Sequence, residues 1–397
     1  MKGVRTIIRD TAYLVALLGV LFIPIGLHLL PLQETITQSV FGKLITLTAK
    51  AFLIHLHSSR VTSDSLAMYL LVLLLFLLSA IGALKLKAFD RSLKATTLIR
   101  TLLYFYLGLV FMRYGADKLF KGQFYLPEPN ILYTPFGKLS KDMLYWSTVG
   151  TSYSYNIFLG SLEVLCAILL IIRRTRLLGL VFALITLVQI LAINFCFDIS
   201  VKLYSSFLLF LVSLLLLQYA GRLSSFFAGR AVGPMNLTSF RSGFTKHRFV
   251  RTTISTFVIL SILGEALYPY MRTATYNDDL AGRGYLQGAY EVIQSRDTTS
   301  TSIKRFFIHR DGYLITESDN EEFDSNKLFI DTLAHIFHIE NATGQWNNVA
   351  YNYNGKDSSL TLRNYSIAKK ATLHARAINW RELPALQKSF HWTVDNY

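Results

Sequence analysis

Apolar residues fall in long runs up to residue 271 and in short alternating runs beyond it. A bilayer core needs ~20 consecutive apolar residues to be crossed by a helix. Seven runs meet that description: residues 11–30, 66–84, 97–116, 156–172, 177–197, 201–220 and 252–267, the first with Pro24 inside it and the last with Glu265 near its end. Between the first two, residues 31–65 place Phe41, Leu44, Ile45, Phe52 and Leu56 near one helical face, opposite Lys43 and Lys50. That pattern predicts an amphipathic helix lying at the membrane interface. Residues 117–155 form an aromatic segment with Pro and Gly, of the kind that suits the headgroup layer.

The pattern changes in residues 272–397. Residues 302–308 and 313–316 are β-prone and flank His309-Arg310-Asp311-Gly312, a hairpin turn signal. Residues 327–339, 346–353, 360–367 and 371–378 continue as short strands between Asn, Gly, Asp and Ser turns, with residues 285–293 as a candidate first strand. The reading is an antiparallel all-β domain joined to a polytopic α-helical membrane protein of seven spans.

Composition agrees. Charged residues make up 16% of the chain and hydrophobic ones 52%, with a mean hydropathy of +0.36, against about a quarter charged in soluble domains. The net charge of +15 would suit nucleic acid, but its distribution does not. Residues 1–271 hold 26 Lys/Arg against 10 Asp/Glu, whereas residues 272–397 hold 14 against 15. The basic groups sit in short loops, at Lys85, Lys87, Arg91 and Lys94, at Arg173, Arg174 and Arg176, and along residues 221–251. Each cluster falls where alternating spans require the cytoplasmic side. The N-terminus is therefore expected inside, the β domain outside, and no nucleic-acid partner is expected. The first run is too long for a signal peptide and lacks a small-residue cleavage site, so it reads as an uncleaved span.

Candidate chemistry comes from polar groups within apolar runs, where they are costly. Glu163 lies two turns into the 156–172 run and shares a stripe with Asn156 and Gly160. Arg113 and Asp117, and Tyr114 and Lys118, stand four apart at the end of the 97–116 run, which makes Arg113 and Lys118 the natural partners for Glu163. Asn194 and Asp198 are one turn apart before Lys202. Two readings stand side by side: a shared polar pocket, or snorkelling and capping groups that only hold helices together. Cys166 and Cys196 lie at different depths and read as buried thiols. His55-x-His57 and His335-x-x-His338 have no third ligand in sequence, so no metal site is expected.

Arg113-Tyr114-Gly115-x-x-Lys118-Leu119-Phe120, Gln123-Phe124, Pro135-x-Gly137, Gly160-x-x-Glu163, Arg173-Arg174-Thr175 and Asn194-x-x-x-Asp198-x-x-Val201-Lys202 together resemble the DoxX-like membrane proteins. The resemblance spans about residues 95–220. The ending Leu383-Pro384-x-Leu386…Phe390-His391-Trp392 resembles the longer versions found in Bacteroidetes. Where members of the family often place a proline before the Val-Lys pair, this chain has Ser200.

The resemblance implies a four-helix membrane bundle over residues 96–220. Spans one and two (1–95) would precede it, and a basic connector with a last span (221–271) and an extracytoplasmic β domain (272–397) would come after it. It also implies two functions of different class. One is a redox-associated inner-membrane protein with an outer-leaflet pocket for a quinone or similar small molecule. In that reading Glu163 and Asp198 exchange protons, Arg113, Lys118 and Lys202 stabilise anionic charge, and Asn156 and Asn194 orient the ligand. The other is a non-catalytic scaffold or assembly chaperone presenting its periplasmic β domain to envelope partners.

Overall fold

A computed structural model describes residues 2–29, 31–88, 96–230, 248–295, 303–340, 343–363 and 372–387. The chain divides into two units, Met1–Gln123 with Tyr153–Asn277, and Phe124–Ser152 with Asp278–Tyr397.

The first unit is helical: α1 (Lys2–Phe22), α2 (Gln33–Ala51), α3 (Leu66–Ala88) and α4 (Thr96–Leu119), then, after the excursion that joins the second unit, α7 (Tyr153–Ile171), α8 (Arg176–Cys196), α9 (Lys202–Leu216), α10 (Ala220–Phe227) and α11 (Arg248–Thr273). Among the described residues, five helical stretches are long and apolar enough to cross a membrane: Leu66–Lys87, Tyr153–Ile171, Arg176–Cys196, Lys202–Phe227 and Thr252–Leu280. The chain is a multi-pass helical membrane protein with a β domain. The helices α1 and α4 fall outside that set because of their charges: Lys2, Arg5, Arg9 and Asp10 in α1, and Arg100, Arg113, Asp117 and Lys118 in α4.

Packing explains the order. The helices α4, α7, α8 and α9 contact one another in sequence, and α9 returns to α4, while α1 packs on α3 and α11 packs on α4. Leu103, Leu107, Leu170, Leu180, Leu211 and Leu215 are fully buried at the centre. The tightest crossing is α4 on α7. A side chain at Gly160 would meet the Gly115 carbonyl oxygen at 2.8 Å, so the two backbones touch only because both positions are glycine.

Several element ends differ from the sequence reading. The first helix starts at Lys2 and stops at Phe22, two residues before Pro24, which cannot donate into a helix and constrains the residue before it. The last runs to Thr273, through Pro269, well past the expected residue 267. The buried stripe of α2 is Thr37, Phe41, Gly42, Ile45 and Ala49; Leu44 and Phe52 point away and are exposed. Residues 91 and 94 and most of the basic connector (231–247) lie outside the described residues.

The second unit centres on a closed barrel of eight antiparallel strands in sequential order. They are β1 (Gly288–Ser295), β2 (Ile303–His309), β3 (Tyr313–Ser318), β4 (Phe323–Asp331), β5 (Ile336–Glu340), β6 (Trp346–Asn354), β7 (Ser359–Arg363) and β8 (Thr372–Ile378), with β8 pairing back to β1. Closure leaves no free sheet edge. Tyr290, Phe306, Leu314, Phe337, Leu360 and Leu373 meet inside as one core, as expected of a barrel whose bore is just wide enough for side chains. The predicted strand 327–339 is two strands. Asp331 Oδ1 accepts the Leu333 and Ala334 amides at 2.9 Å, and His335 turns the chain at φ +53°, an Asx turn that forces a hairpin.

Residues Phe124–Ser152, most of the aromatic segment that the sequence reading counted within residues 96–220, group with this second unit. They contain α5 (Pro129–Tyr133) and α6 (Lys141–Thr151), and α5 packs on β1 and β2. Tyr133 lies 5.9 Å from the Phe307 ring and under the Arg305 guanidinium. Phe306 and Phe307, on opposite faces of β2, are therefore both 1% exposed.

Candidate functional site

The Gly115–Gly160 contact brings side chains together one turn further along each helix. Lys118 Nζ lies 3.0 and 2.8 Å from the two carboxylate oxygens of Glu163, with the Tyr114 ring 5.7 Å from the ammonium. Both side chains are less than one-tenth exposed. Asn156, Gly160 and Glu163 form one buried stripe of α7, as the spacing predicted. A buried ion pair of this kind has paid heavily in desolvation and holds only while both partners remain.

The other predicted residues are held elsewhere. Arg113 does not take Glu163; its guanidinium donates to the Ile25 carbonyl at 2.6 Å, beyond the end of α1. The Asn194 amide donates to Ser205 Oγ at 3.0 Å, joining α8 to α9. Asp198 adopts φ +55° in the tight turn after α8, and its side chain is 83% exposed. Lys202 answers it at 2.7 Å. Asn194, Asp198 and Lys202, which the spacing allowed to be either a structural clamp or one wall of a polar pocket with Glu163 and Arg113, make contacts of their own apart from the Glu163–Lys118 pair. The reason is local: Asp198 ends a helix in a left-handed conformation that aims its carboxylate away from the bundle.

Four further contacts join residues far apart in sequence. Asp64 accepts the Lys202 and Leu203 amides at 2.9 Å each and so caps α9 from a residue 138 positions earlier. Glu265, 4% exposed, accepts the His28 and Leu29 amides at 2.5 and 2.9 Å. Tyr270 donates to Asp117 at 2.5 Å, and the Tyr106 and Tyr204 hydroxyls meet at 3.2 Å. Cys166 is buried and Cys196 exposed, both as free thiols. Among the described residues no group of His, Cys, Asp and Glu is placed to hold a metal.

The second unit has its own buried charge cluster. Glu128, 4% exposed, accepts from Arg310 Nε at 2.5 Å, Gln287 Nε2 at 3.2 Å and Arg283 Nη1 at 3.3 Å. Arg310 also grips Asp278 at 2.9 and 3.0 Å and lies over the Tyr125 ring. Burial works against the charge of both guanidiniums. At Arg310 the carboxylates of Glu128 and Asp278 outweigh burial and raise the pKa; at Arg283 burial and the neighbouring Arg310 prevail and lower it. Pro127-Glu128-Pro129, an acid between two prolines, was the one signal in the sequence that could have singled Glu128 out.

The chain is 36% identical over 130 residues to the uncharacterized protein YwoB of Bacillus subtilis (strain 168). The match takes in 79% of that protein and 33% of this chain. This chain belongs to the YwoB family. No family model and no solved structure matches it. Most of its length therefore lies outside what the YwoB relationship describes.

Proposed function

We propose that this member of the YwoB family is a non-catalytic inner-membrane scaffold, a DoxX-like helical bundle that anchors a β-barrel domain for an envelope partner. The observation that carries this reading is the Lys118–Glu163 pair. The acid set deepest in an apolar helix has both oxygens engaged by one ammonium, at the point where the α4 and α7 backbones touch. That arrangement suits a helix clamp. The clamps at Asp198–Lys202, Asn194–Ser205 and Glu265 support the same reading.

The proposed topology has seven spans, with α1 and α4 added to the five apolar stretches. Both pack along apolar helices, and the charges of α4 cluster at its ends. With the basic clusters inside, the N-terminus is cytoplasmic and the barrel periplasmic.

Replacing the pair with apolar residues tests the scaffold. Lys118→Met and Glu163→Gln should each lower accumulation in membranes and thermal stability in detergent, by about 3–5 kcal/mol. Lys118→Met with Glu163→Leu should recover most of the loss. A quinone reading is favoured by one feature, the buried Asn156 on the same stripe as Glu163 and its ammonium partner. If Glu163→Gln accumulates normally but loses quinone binding in native membranes, the scaffold proposal falls.

A further inference from the structure

We propose that α2 carries a binding site for the headgroup of a membrane phospholipid, in a cleft of about 480 Å³ lined by Gln38, Gly42, Lys43, Thr46, Leu47 and Ser59. The helix has two apolar faces. One, Thr37, Phe41, Ile45 and Ala49, is buried in the bundle. The other, Ile36, Val40, Leu44 and Leu47, is 45–62% exposed. Its first turn carries Glu34 and its last Lys50, and the stretch is not among those apolar enough to cross a bilayer. Such a helix fits the boundary between headgroups and acyl chains.

The cleft lies along the polar edge between these faces. Gln38 Nε2 donates to Ser59 Oγ at 3.3 Å, while its carbonyl oxygen is buried with no hydrogen-bond partner. A side chain at Gly42 would come within 2.7 Å of Gln38 Nε2, so the amide rests in space that the glycine leaves open. Lys43 is exposed and forms no ion pair among the described residues. The cleft therefore offers an ammonium for a phosphodiester, an apolar strip for acyl chains, and the Gln38 carboxamide, whose unbonded carbonyl oxygen can take an N–H or O–H donor once the amide turns toward the cleft. Phosphatidylethanolamine and phosphatidylglycerol supply all three. Phosphatidylcholine, whose quaternary ammonium has no N–H, lacks the donor.

Native mass spectrometry of the delipidated full-length chain in detergent tests this, with each of the three lipids and with inorganic phosphate as probes. The ethanolamine and glycerol lipids should be retained over the choline lipid. Lys43→Gln should weaken retention about fivefold and Lys43→Arg should restore it. Gln38→Leu should erase the preference over choline while leaving the helical circular dichroism unchanged. Equal retention of all three lipids, or wild-type retention by Lys43→Gln, would overturn the proposal. So would inorganic phosphate alone raising the melting temperature as much as lipid does, which would assign the cleft to a free anion.

Discussion

Glu128→Ala is the perturbation that tests most directly whether residues Phe124–Ser152 are an integral part of the barrel unit. The carboxylate is 4% exposed and accepts from Arg310, Arg283 and Gln287. Removing it leaves Arg310 with Asp278 and strips Arg283 of its ion-pair partner. The Arg283 side chain is 18% exposed, and its Nε and Nη2 already lack partners. Deleting one partner of a buried ion pair costs about 3–5 kcal/mol. For a unit of ~150 residues, each kcal/mol moves the melting temperature by about 2–4 °C, so a drop of about 10 °C is expected. Hydrogen exchange of the full-length chain in detergent, followed at β1, β2 and β3 against temperature, reads this out. The control is Glu321→Ala: its pair with Lys138, 3.2 Å apart with both side chains nearly half exposed, should contribute less than ~1 kcal/mol. If the two variants behave alike, the excursion is a passive loop and the reasoning fails. A fragment of residues 272–397 should then also fold unaided; here it is expected to need residues 124–152, because Phe307, 1% exposed and packed against Tyr133, would otherwise be uncovered.

Gly160→Val should separate α4 from α7 and cost at least as much as a poorly tolerated overpacking, about 1–3 kcal/mol, because its Cβ would lie 2.8 Å from a backbone carbonyl; loss of accumulation in membranes is the readout, and normal levels would refute the close contact. Asp64→Ala removes both caps of α9 and should cost about 1 kcal/mol, seen as faster exchange at the Lys202 and Leu203 amides. Asp357 accepts from Ser359 Oγ and the Ser359 amide, and those bonds hold its carboxyl below the usual carboxylate range. A lowered folded pKa means this contribution is present above the unfolded value and is lost as pH falls through the folded one. Barrel stability should therefore fall on acidification less in Ser359→Ala than in the native chain, and identical pH profiles would refute it.

Most of the fold was legible because its signals are local. Apolar runs and alternating strands announce themselves within a few residues, and the His309-Arg310-Asp311-Gly312 hairpin appears where its turn residues stand. The ends that differ have local causes too: Pro24 stops α1 and Asp331 splits the 327–339 stretch, each through its own neighbours. The Glu163–Lys118 partnership was half legible. Depth and helix end narrowed the partner to Arg113 or Lys118, and the choice between them rests on Gly115 and Gly160, which bring the α7 stripe against the Lys118 side of α4.

The contacts that stayed hidden are long in sequence separation. Asp64 caps a helix 138 residues away, and Glu128 pairs with an arginine 182 residues away. No periodicity encodes such pairs; they exist only once the bundle and the barrel have closed. The same argument explains why the aromatic segment was assigned to the headgroup layer. Tyr125 and Tyr133 have the composition of an interfacial belt, and each meets a guanidinium of the same unit, a partner the local sequence does not reveal. An aromatic segment between two helices of the first unit therefore serves here as part of the second unit. The chain leaves the bundle at the end of α4 and re-enters it at the start of α7. The Lys118–Glu163 clamp joins those two helices within the first unit, so the ends of the bundle segments that flank residues 124–152 are held by the first unit itself.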